Sequence, residues 1–411
     1  MKGIKSNQNN LLLVSGRIYY RLAFLVLTIV LSAVWGKSEF GYYASKMGTW
    51  VIIDSILGFG MGISISKLLV LHQSLKEILI RGAILVIVCA NLTIIGAISA
   101  ICLPLSAAFN VDFDMLDIII ICSISTYGIS TVFQCIFRVL GKVSYDYIIS
   151  YITGSFILLL AFISYFIDMS PLSNVIFRAL FFVLIDIFMV YKIIKFYPLK
   201  KKYNRSFYKT SVVRIIKETV IMGVNNVAVD ANYSVINIVF RFCKLFEIAA
   251  DFNLALAVAG PLIAFYRYLL VIFIPKIVDF AQKGKKYIIG RYAKKFLIIG
   301  FITVFVSLAC SLITTISATG MIQMFILMVC LFPLLFLFET ILMYFEVAMT
   351  KHLVFTLRVC LLGFAFCSAF SFLLIPRLGG PGAVFSLFMM YTITITCFLS
   401  SFYNKKERNL Q

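Results

Sequence analysis

The chain has 411 residues, of which 62% are hydrophobic and 13% are charged, and its formal net charge is +20. Soluble domains contain about 45 to 50% apolar residues, so this composition excludes a water-soluble globular protein. The basic residues are spread over many short connectors rather than gathered on one face, which argues against a nucleic-acid partner.

Apolar segments separated by short charged connectors fill the chain almost completely. A helix of about 20 residues crosses a hydrocarbon core of about 30 Å, and the segments lack the alternation of barrel strands. They predict an all-α polytopic membrane protein with about 12 transmembrane helices. The predicted spans are Tyr19–Trp35, Phe40–Leu68, Ile80–Leu105, Met115–Leu140, Tyr147–Ile167, Leu172–Ile194, Val220–Phe240, Phe252–Ile274, Phe296–Ser317, Met321–Met349, Leu353–Leu374 and Ala383–Tyr403.

Lys and Arg concentrate at the N-terminus and on every second connector. The connector after the sixth span contains Lys200, Lys201 and Lys202, whereas the third connector contains only Asp112 and Asp114 as charged residues. Cytoplasmic loops carry the excess of positive charge. This alternation predicts that both the N-terminus and the C-terminus are cytoplasmic.

The long basic connector divides the predicted spans into two sets of six. The sequence thus predicts an N-terminal six-helix lobe at residues 1–197, a basic cytoplasmic linker at 198–217, and a C-terminal six-helix lobe at 218–411. Transporters are often built from two repeated halves. The linker has two interpretations, a hinge between the lobes or a charged stretch that lies on anionic headgroups.

Ionisable side chains within the spans are the strongest indication of a site, because each costs about 2.5 to 3.5 kcal/mol at a helix centre. Such residues normally face a cavity or a partner. The pairs Lys46/Asp54 and Arg178/Asp186 are each eight residues apart on one helix face, so a purely structural pairing is an alternative. The candidates for a cavity lining are Arg21, Lys46, Arg178, Arg267, Arg358, Asn225, Asn226 and Tyr233, and the carboxylates that suit ion coupling are Asp54, Asp230 and Glu339.

Catalytic patterns are almost absent from the sequence. Asp112-Phe-Asp114 matches the DxD pattern of glycosyltransferases, but it lies in a short connector that is assigned to the outer side. His72 and His352 are isolated, so a histidine-based metal site or general base lacks its other members. No Gly-rich phosphate loop ends in GK[ST]. We therefore expect a transporter without catalytic residues, metal or cofactor rather than an enzyme.

Three stretches of the sequence resemble a known family. Trp35–Ala44, followed by Asp54 and the run Gly58–Gly62, resembles the "LGxxxFGxY" start of polysaccharide and O-antigen flippases. Ile274–Lys276 is similar to the family's Pro before a basic cytoplasmic loop, and Ile375–Ala383 to its "iP..G..Ga" entry to the last span. The chain thus resembles the Wzx-like family of the multidrug/oligosaccharidyl-lipid/polysaccharide exporter superfamily.

The resemblance implies two six-helix bundles around a central cavity in the bacterial inner membrane. It implies translocation of an undecaprenyl-diphosphate-linked oligosaccharide for polysaccharide or lipopolysaccharide biosynthesis, with membrane lipids, a polysaccharide polymerase and a chain-length regulator as further partners. A pyrophosphate needs cations around it when it leaves water. The cavity cations would then bind the pyrophosphate, while Asn and Tyr side chains would meet sugar hydroxyls. Membrane potential, H⁺ or Na⁺ would supply the driving force.

Two alternatives stand beside the flippase. A multidrug or small-molecule exporter of the same superfamily would share the topology, but its cationic drugs favour an acidic cavity. A membrane glycan polymerase would need a large outer loop, and the outer connectors are short. The departures from the family pattern are Trp35, which replaces the usual Leu, and Ile248–Asp251, which stands where the second-half motif is expected.

Overall fold

The computed structural model describes residues 2–54, 61–71, 76–109, 113–196, 213, 216, 231–261, 320–348 and 353–408. Within these ranges every regular element is a helix. Eight described helical segments are long and apolar enough to cross a membrane, and one of them, Leu12–Asp54, is long enough for two spans. The chain is therefore a multi-pass helical membrane protein.

The described helices follow the predicted spans closely. The predicted starts of the fourth and eleventh spans, Met115 and Leu353, are also the first residues of helices in the structure. The helices are α1 Lys2–Trp50, α2 Ile52–Asp54, α3 Met61–Leu71, α4 Lys76–Phe109, α5 Met115–Val139, α6 Val143–Ile167, α7 Pro171–Phe196, α8 231–242, α9 246–261, α10 Gly320–Ala348, α11 Leu353–Leu378 and α12 Gly380–Arg408.

The first two predicted spans are joined within one long helix, α1. Its single non-helical residue is Gly36, with φ 77° and ψ 166°. Only glycine adopts this region without steric cost, so the chain bends here between the two spans. The second predicted span continues through α2 and α3, and its residues 55–60 lie outside the described ranges.

The boundaries of α5, α6 and α7 have local causes in the sequence. Asp114 caps α5 by accepting hydrogen bonds from the backbone N–H groups of Leu116 and Asp117. The helix α6 ends at Ile167, and the next residue, Asp168, adopts the left-handed conformation with φ 46°. Pro171 then occupies the first position of α7, where its missing N–H is not needed.

The chain divides into two compact units. Unit 1 comprises residues Met1–Tyr20 and Lys46–Ser234, and unit 2 comprises Arg21–Ser45 and Val235–Gln411. The middle of the helix α1 thus belongs to unit 2, although its two ends belong to unit 1. Two helix packings dominate: α5 packs against α7 within unit 1, and α11 against α12 within unit 2.

Candidate functional site

A buried ion cluster holds the last turns of α1 against α5 in unit 1. The Lys46 ammonium lies 2.8 Å from Asp117 Oδ2 and 2.7 Å from Asp114 Oδ2. Trp50 Nε1 donates a hydrogen bond of 2.6 Å to the other oxygen of Asp117. The side chains of Lys46 and Asp117 are both 0% exposed. We call these four residues the Lys46 cluster.

The Lys46 cluster contains one ammonium and two carboxylates, so its formal charge is −1. Asp114 both caps α5 and pairs with Lys46, and its backbone N–H donates to Asp117. A buried charge is tolerated when it is paired and hydrogen-bonded. The Asp114 carboxylate of the DxD pattern therefore has a structural explanation as a helix cap and counter-ion.

A second buried ion cluster lies where α5 ends and α6 begins. Asp146 accepts from Arg17 Nη2 at 2.8 Å through one oxygen and lies 2.8 Å from Arg138 Nε through the other. Arg17 also donates to Gln134. Asp146 is fully buried and Arg17 is 10% exposed. This Asp146 cluster contains two guanidinium groups and one carboxylate, so it has an excess of one positive charge.

Asp186 on α7 differs from the carboxylates of Asp117 and Asp146. Ser130 Oγ on α5 donates a hydrogen bond of 2.5 Å to Asp186 Oδ1. The carboxylate is buried, and among the described residues it forms no ion pair. An ionisable residue placed in this way within a span is a functional candidate by default.

In unit 2, two segments that carry the family resemblance both contact the segment Ile248–Asp251, which stands where the second-half motif is expected. Lys37 Nζ binds Asp251 Oδ1 at 3.0 Å and Oδ2 at 3.2 Å. A Cβ on Gly379, which has φ 60°, would lie 2.9 Å from Ile248. The three segments around Lys37, Ile248–Asp251 and Gly379 all come from connectors for which the charge pattern predicts the outer side.

Gly41 shows why the first of these motifs requires a glycine. A Cβ at this position would overlap the carbonyl oxygen of Phe246 and would lie 2.6 Å from the carbonyl carbon of the same residue. Backbone atoms cannot move away as a flexible side chain would. The motif residue Gly41 therefore allows α1 to contact the first turn of α9 directly.

Comparison with solved structures identifies the fold. The chain is similar to an inward-facing multidrug resistance MATE family transporter of the MOP superfamily, with TM-score 0.60 and 12% identity over 94% of this chain and 99% of the other. It is similar to the lipid II flippase MurJ in an inward closed conformation, with TM-score 0.66 and 13% identity over 95% and 87%. A single-residue mutant of the Vibrio cholerae MATE transporter VcmN gives TM-score 0.57 and 15% identity over 98% and 97%.

The chain has the fold of these MOP-superfamily transporters. No protein-family model and no curated protein sequence matches it. The likeness covers nearly the whole chain, including both units, which agrees with the helical membrane architecture predicted from the sequence.

The structure places the predicted cavity residues of unit 1 in different surroundings. Lys46 is fully buried and paired with two carboxylates at the start of α5. Arg178 is buried on α7, and Tyr233 and Asp54 are half-buried. The cavity role of Lys46, Arg178 and Tyr233 and the ion-coupling role of Asp54 stay predictions.

The predicted residues of unit 2 are more accessible. Arg21 on α1 and Arg358 on α11 are exposed, and Glu339 on α10 is half-buried. Among the described residues Arg358 has no carboxylate partner. The remaining candidates, Arg267, Asn225, Asn226 and Asp230, lie outside the residues that the structure describes.

Sequence reasoning did not single out Asp117 and Asp146, which anchor the two ion clusters. Asp117 stands three residues after Asp114 at the start of an apolar span, and this spacing is that of a capping box. Asp146 follows the basic connector with Arg138 and Lys142, where an isolated acid among cations signals a pair. Both patterns are visible in the sequence, but neither identifies the basic residues that pair with these carboxylates.

Proposed function

We propose that the protein is a flippase for undecaprenyl-diphosphate-linked O-antigen or other polysaccharide repeat units. It moves them by alternating access from the cytoplasmic to the outer leaflet of a bacterial inner membrane. The fold supports a transporter, because MATE transporters and the lipid II flippase MurJ share it. The motifs around Gly41 and Gly379 support the polysaccharide branch, since both are used for close helix contacts in unit 2.

The observation that favours an anionic cargo is which charged side chains within the spans have an ion-pair partner. The buried carboxylates of Asp117 and Asp146 are paired with Lys46, Arg17 and Arg138, which makes them poor partners for a cationic drug. Arg358, in contrast, presents a guanidinium without a carboxylate among the described residues. A pyrophosphate is the ligand class that such a group binds well.

Membrane potential is a sufficient driving force for this cargo. Moving one charge through 100 mV is worth about 2.3 kcal/mol, so an anion of about two charges that leaves an inside-negative cell gains about 4 to 5 kcal/mol. Ion coupling is a second mechanism, for which Asp54, Asp230 and Glu339 are the predicted carboxylates. The structure adds Asp186, whose carboxylate accepts a hydrogen bond from Ser130.

An ion-coupled multidrug exporter is the alternative function. Two features favour it: the likeness to MATE transporters and the buried Asp186 without a described counter-ion. Replacing Asp186 by Asn separates the two mechanisms. If transport is driven by potential alone, the variant should transport as well as the wild type, whereas loss of the dependence on an ion gradient would assign coupling to Asp186.

The experiment that tests the flippase is deletion of the gene followed by analysis of lipid-linked intermediates. We expect undecaprenyl-diphosphate-linked repeat units to accumulate on the cytoplasmic leaflet and long surface glycan to disappear. Complementation with Arg358→Gln should restore little surface glycan. Arg377→Gln is the matched control, because it removes an exposed arginine from the last turn of the same helix. Normal surface glycan in the deletion strain would refute the proposal.

A further inference from the structure

Two lysines at one end of unit 1 lie over aromatic rings. Lys142 Nζ is 4.8 Å from the centroid of the Phe196 ring. Lys192 Nζ is 5.9 Å from the centroid of Tyr145 and 5.2 Å from that of Phe188. The rings of Tyr145 and Phe196 contact each other edge to face at 5.4 Å. We call these five residues the lysine–aromatic cluster; it joins the start of α6 to the end of α7.

No described residue compensates the positive charge of this cluster with a carboxylate. Among the described residues neither Lys142 nor Lys192 forms an ion pair, and ring faces orient an ammonium group without neutralising it. The adjacent carboxylate, Asp146, is already bound to Arg17 and Arg138. Within the described residues, the two ammonium groups at this end of unit 1 can therefore bind an anionic ligand.

An apolar strip of α7 leads directly to the cluster. The side chains of Leu184, Ile187 and Tyr191 are 65%, 62% and 58% exposed, and their spacing places them on one face of the helix. Phe188, which contacts Lys192, is also exposed. Side chains of this kind within a membrane span meet acyl chains. The strip and the two lysines together form an amphiphilic surface with its charge at the membrane boundary.

We propose that the lysine–aromatic cluster binds the phosphate of an anionic phospholipid in the cytoplasmic leaflet, whose acyl chains lie against the strip of α7. The charge pattern assigns the α5–α6 connector and the end of α7 to the cytoplasmic side, where anionic lipids attract basic residues. The rings hold the flexible lysine side chains in place, which lowers the entropy that binding would otherwise cost. This site does not depend on the identity of the transported cargo.

Native mass spectrometry of the purified full-length protein tests the proposal. Phosphatidylglycerol and phosphatidylcholine are titrated separately, and the lipid-bound fraction is measured. We expect selective retention of phosphatidylglycerol. Lys142→Gln combined with Lys192→Gln should weaken its binding about 30-fold, which corresponds to about 2 kcal/mol for two lysines. Lys195→Gln is the matched control for the single variant Lys192→Gln: it removes the same charge one turn away and should change binding less than about 2-fold, because Lys195 contacts no described ring.

Three results would overturn the assignment. The first is unchanged phosphatidylglycerol binding in the double variant. The second is a loss of binding in Lys195→Gln as large as that in Lys192→Gln, which would show that only net charge matters. The third is displacement of phosphatidylglycerol by farnesyl diphosphate at equal concentration, which would assign the site to a prenyl-linked diphosphate. Gel filtration checks folding, and if the double variant does not fold, each single variant is expected to weaken binding about 5-fold.

Discussion

Removing the Lys46 ammonium is the most informative perturbation of unit 1. The substitution Lys46→Met leaves the fully buried carboxylate of Asp117 without the cation that neutralises it, although the Trp50 indole still donates to it. Breaking a buried pair in this way costs about 3 to 5 kcal/mol. Asp117→Asn keeps an acceptor for Trp50, so the double variant Lys46→Met/Asp117→Asn should recover most of that loss. We expect a coupling energy of about 2 kcal/mol or more between Lys46 and Asp117.

A double-mutant cycle of Lys46→Met with Asp114→Asn, in place of Asp117→Asn, is the matched control. Its side chain is 42% exposed, so its pairing with Lys46 is screened and should couple by about 1 kcal/mol or less. Free energies of unfolding are measured by denaturant titration in mixed micelles, with the intrinsic fluorescence of Trp35 and Trp50 as the signal. A loss below about 0.5 kcal/mol for Lys46→Met, or strict additivity with Asp117→Asn, would refute the buried ion pair.

Two further predictions concern packing and charge balance. Gly41→Ala should sharply lower the yield of folded protein, because its Cβ would overlap the backbone carbonyl of Phe246. Gly96→Ala is the control, since its Cβ meets nothing within 4 Å and should be tolerated. Size-exclusion chromatography after heating compares the two variants, and equal melting temperatures would contradict the close contact. Asp146→Asn should destabilise more than Arg17→Gln, since it removes the carboxylate that both guanidinium groups contact, while the arginine variant leaves one intact ion pair. The reverse order in denaturant titration would contradict the Asp146 cluster.

Helix positions could be predicted from the sequence because span length and charged connectors are local properties. The limits of α5 and α6 follow from Asp114 as a cap and from the polar residues after Ile167. The charge pattern predicts that the Lys and Arg residues of alternate connectors lie on the same side of the membrane. In unit 1, Arg17, Arg138 and the end of α7 lie together at one end. The bend at Gly36 appears in the sequence only as a short connector.

The site could be predicted only in part, because ion pairs join residues that are distant in sequence. Lys46 and Asp117 are 71 residues apart, and Arg17 and Asp146 are 129 apart. The spacing of eight residues places Lys46 and Asp54 on one helix face, but it does not show that Lys46 pairs with carboxylates at the start of α5. Periodicity identifies the face on which a charge lies, but it does not identify the helix that packs against that face.

The division into units has a similar explanation. The boundary at the long basic connector stays a prediction, and the two units of the structure divide the chain after Tyr20, Ser45 and Ser234. Contacts of Lys37 with Asp251 and of Gly41 with Phe246 hold the part of α1 after Tyr20 in unit 2. The next turn, beginning at Lys46, is held in unit 1 by its ion pairs. Long-range contacts of this kind cannot be read from hydropathy.

The central claim, transport of a lipid-linked oligosaccharide, is tested most directly in proteoliposomes. The purified protein is reconstituted with a fluorescently labelled undecaprenyl-diphosphate oligosaccharide, and a membrane-impermeant quencher reports how much of the label lies in the outer leaflet. We predict that an imposed membrane potential moves the label between leaflets, and that Arg358→Gln abolishes this movement while Arg377→Gln preserves it. An unchanged leaflet distribution in proteoliposomes that nevertheless extrude a cationic drug would contradict the account and support the exporter.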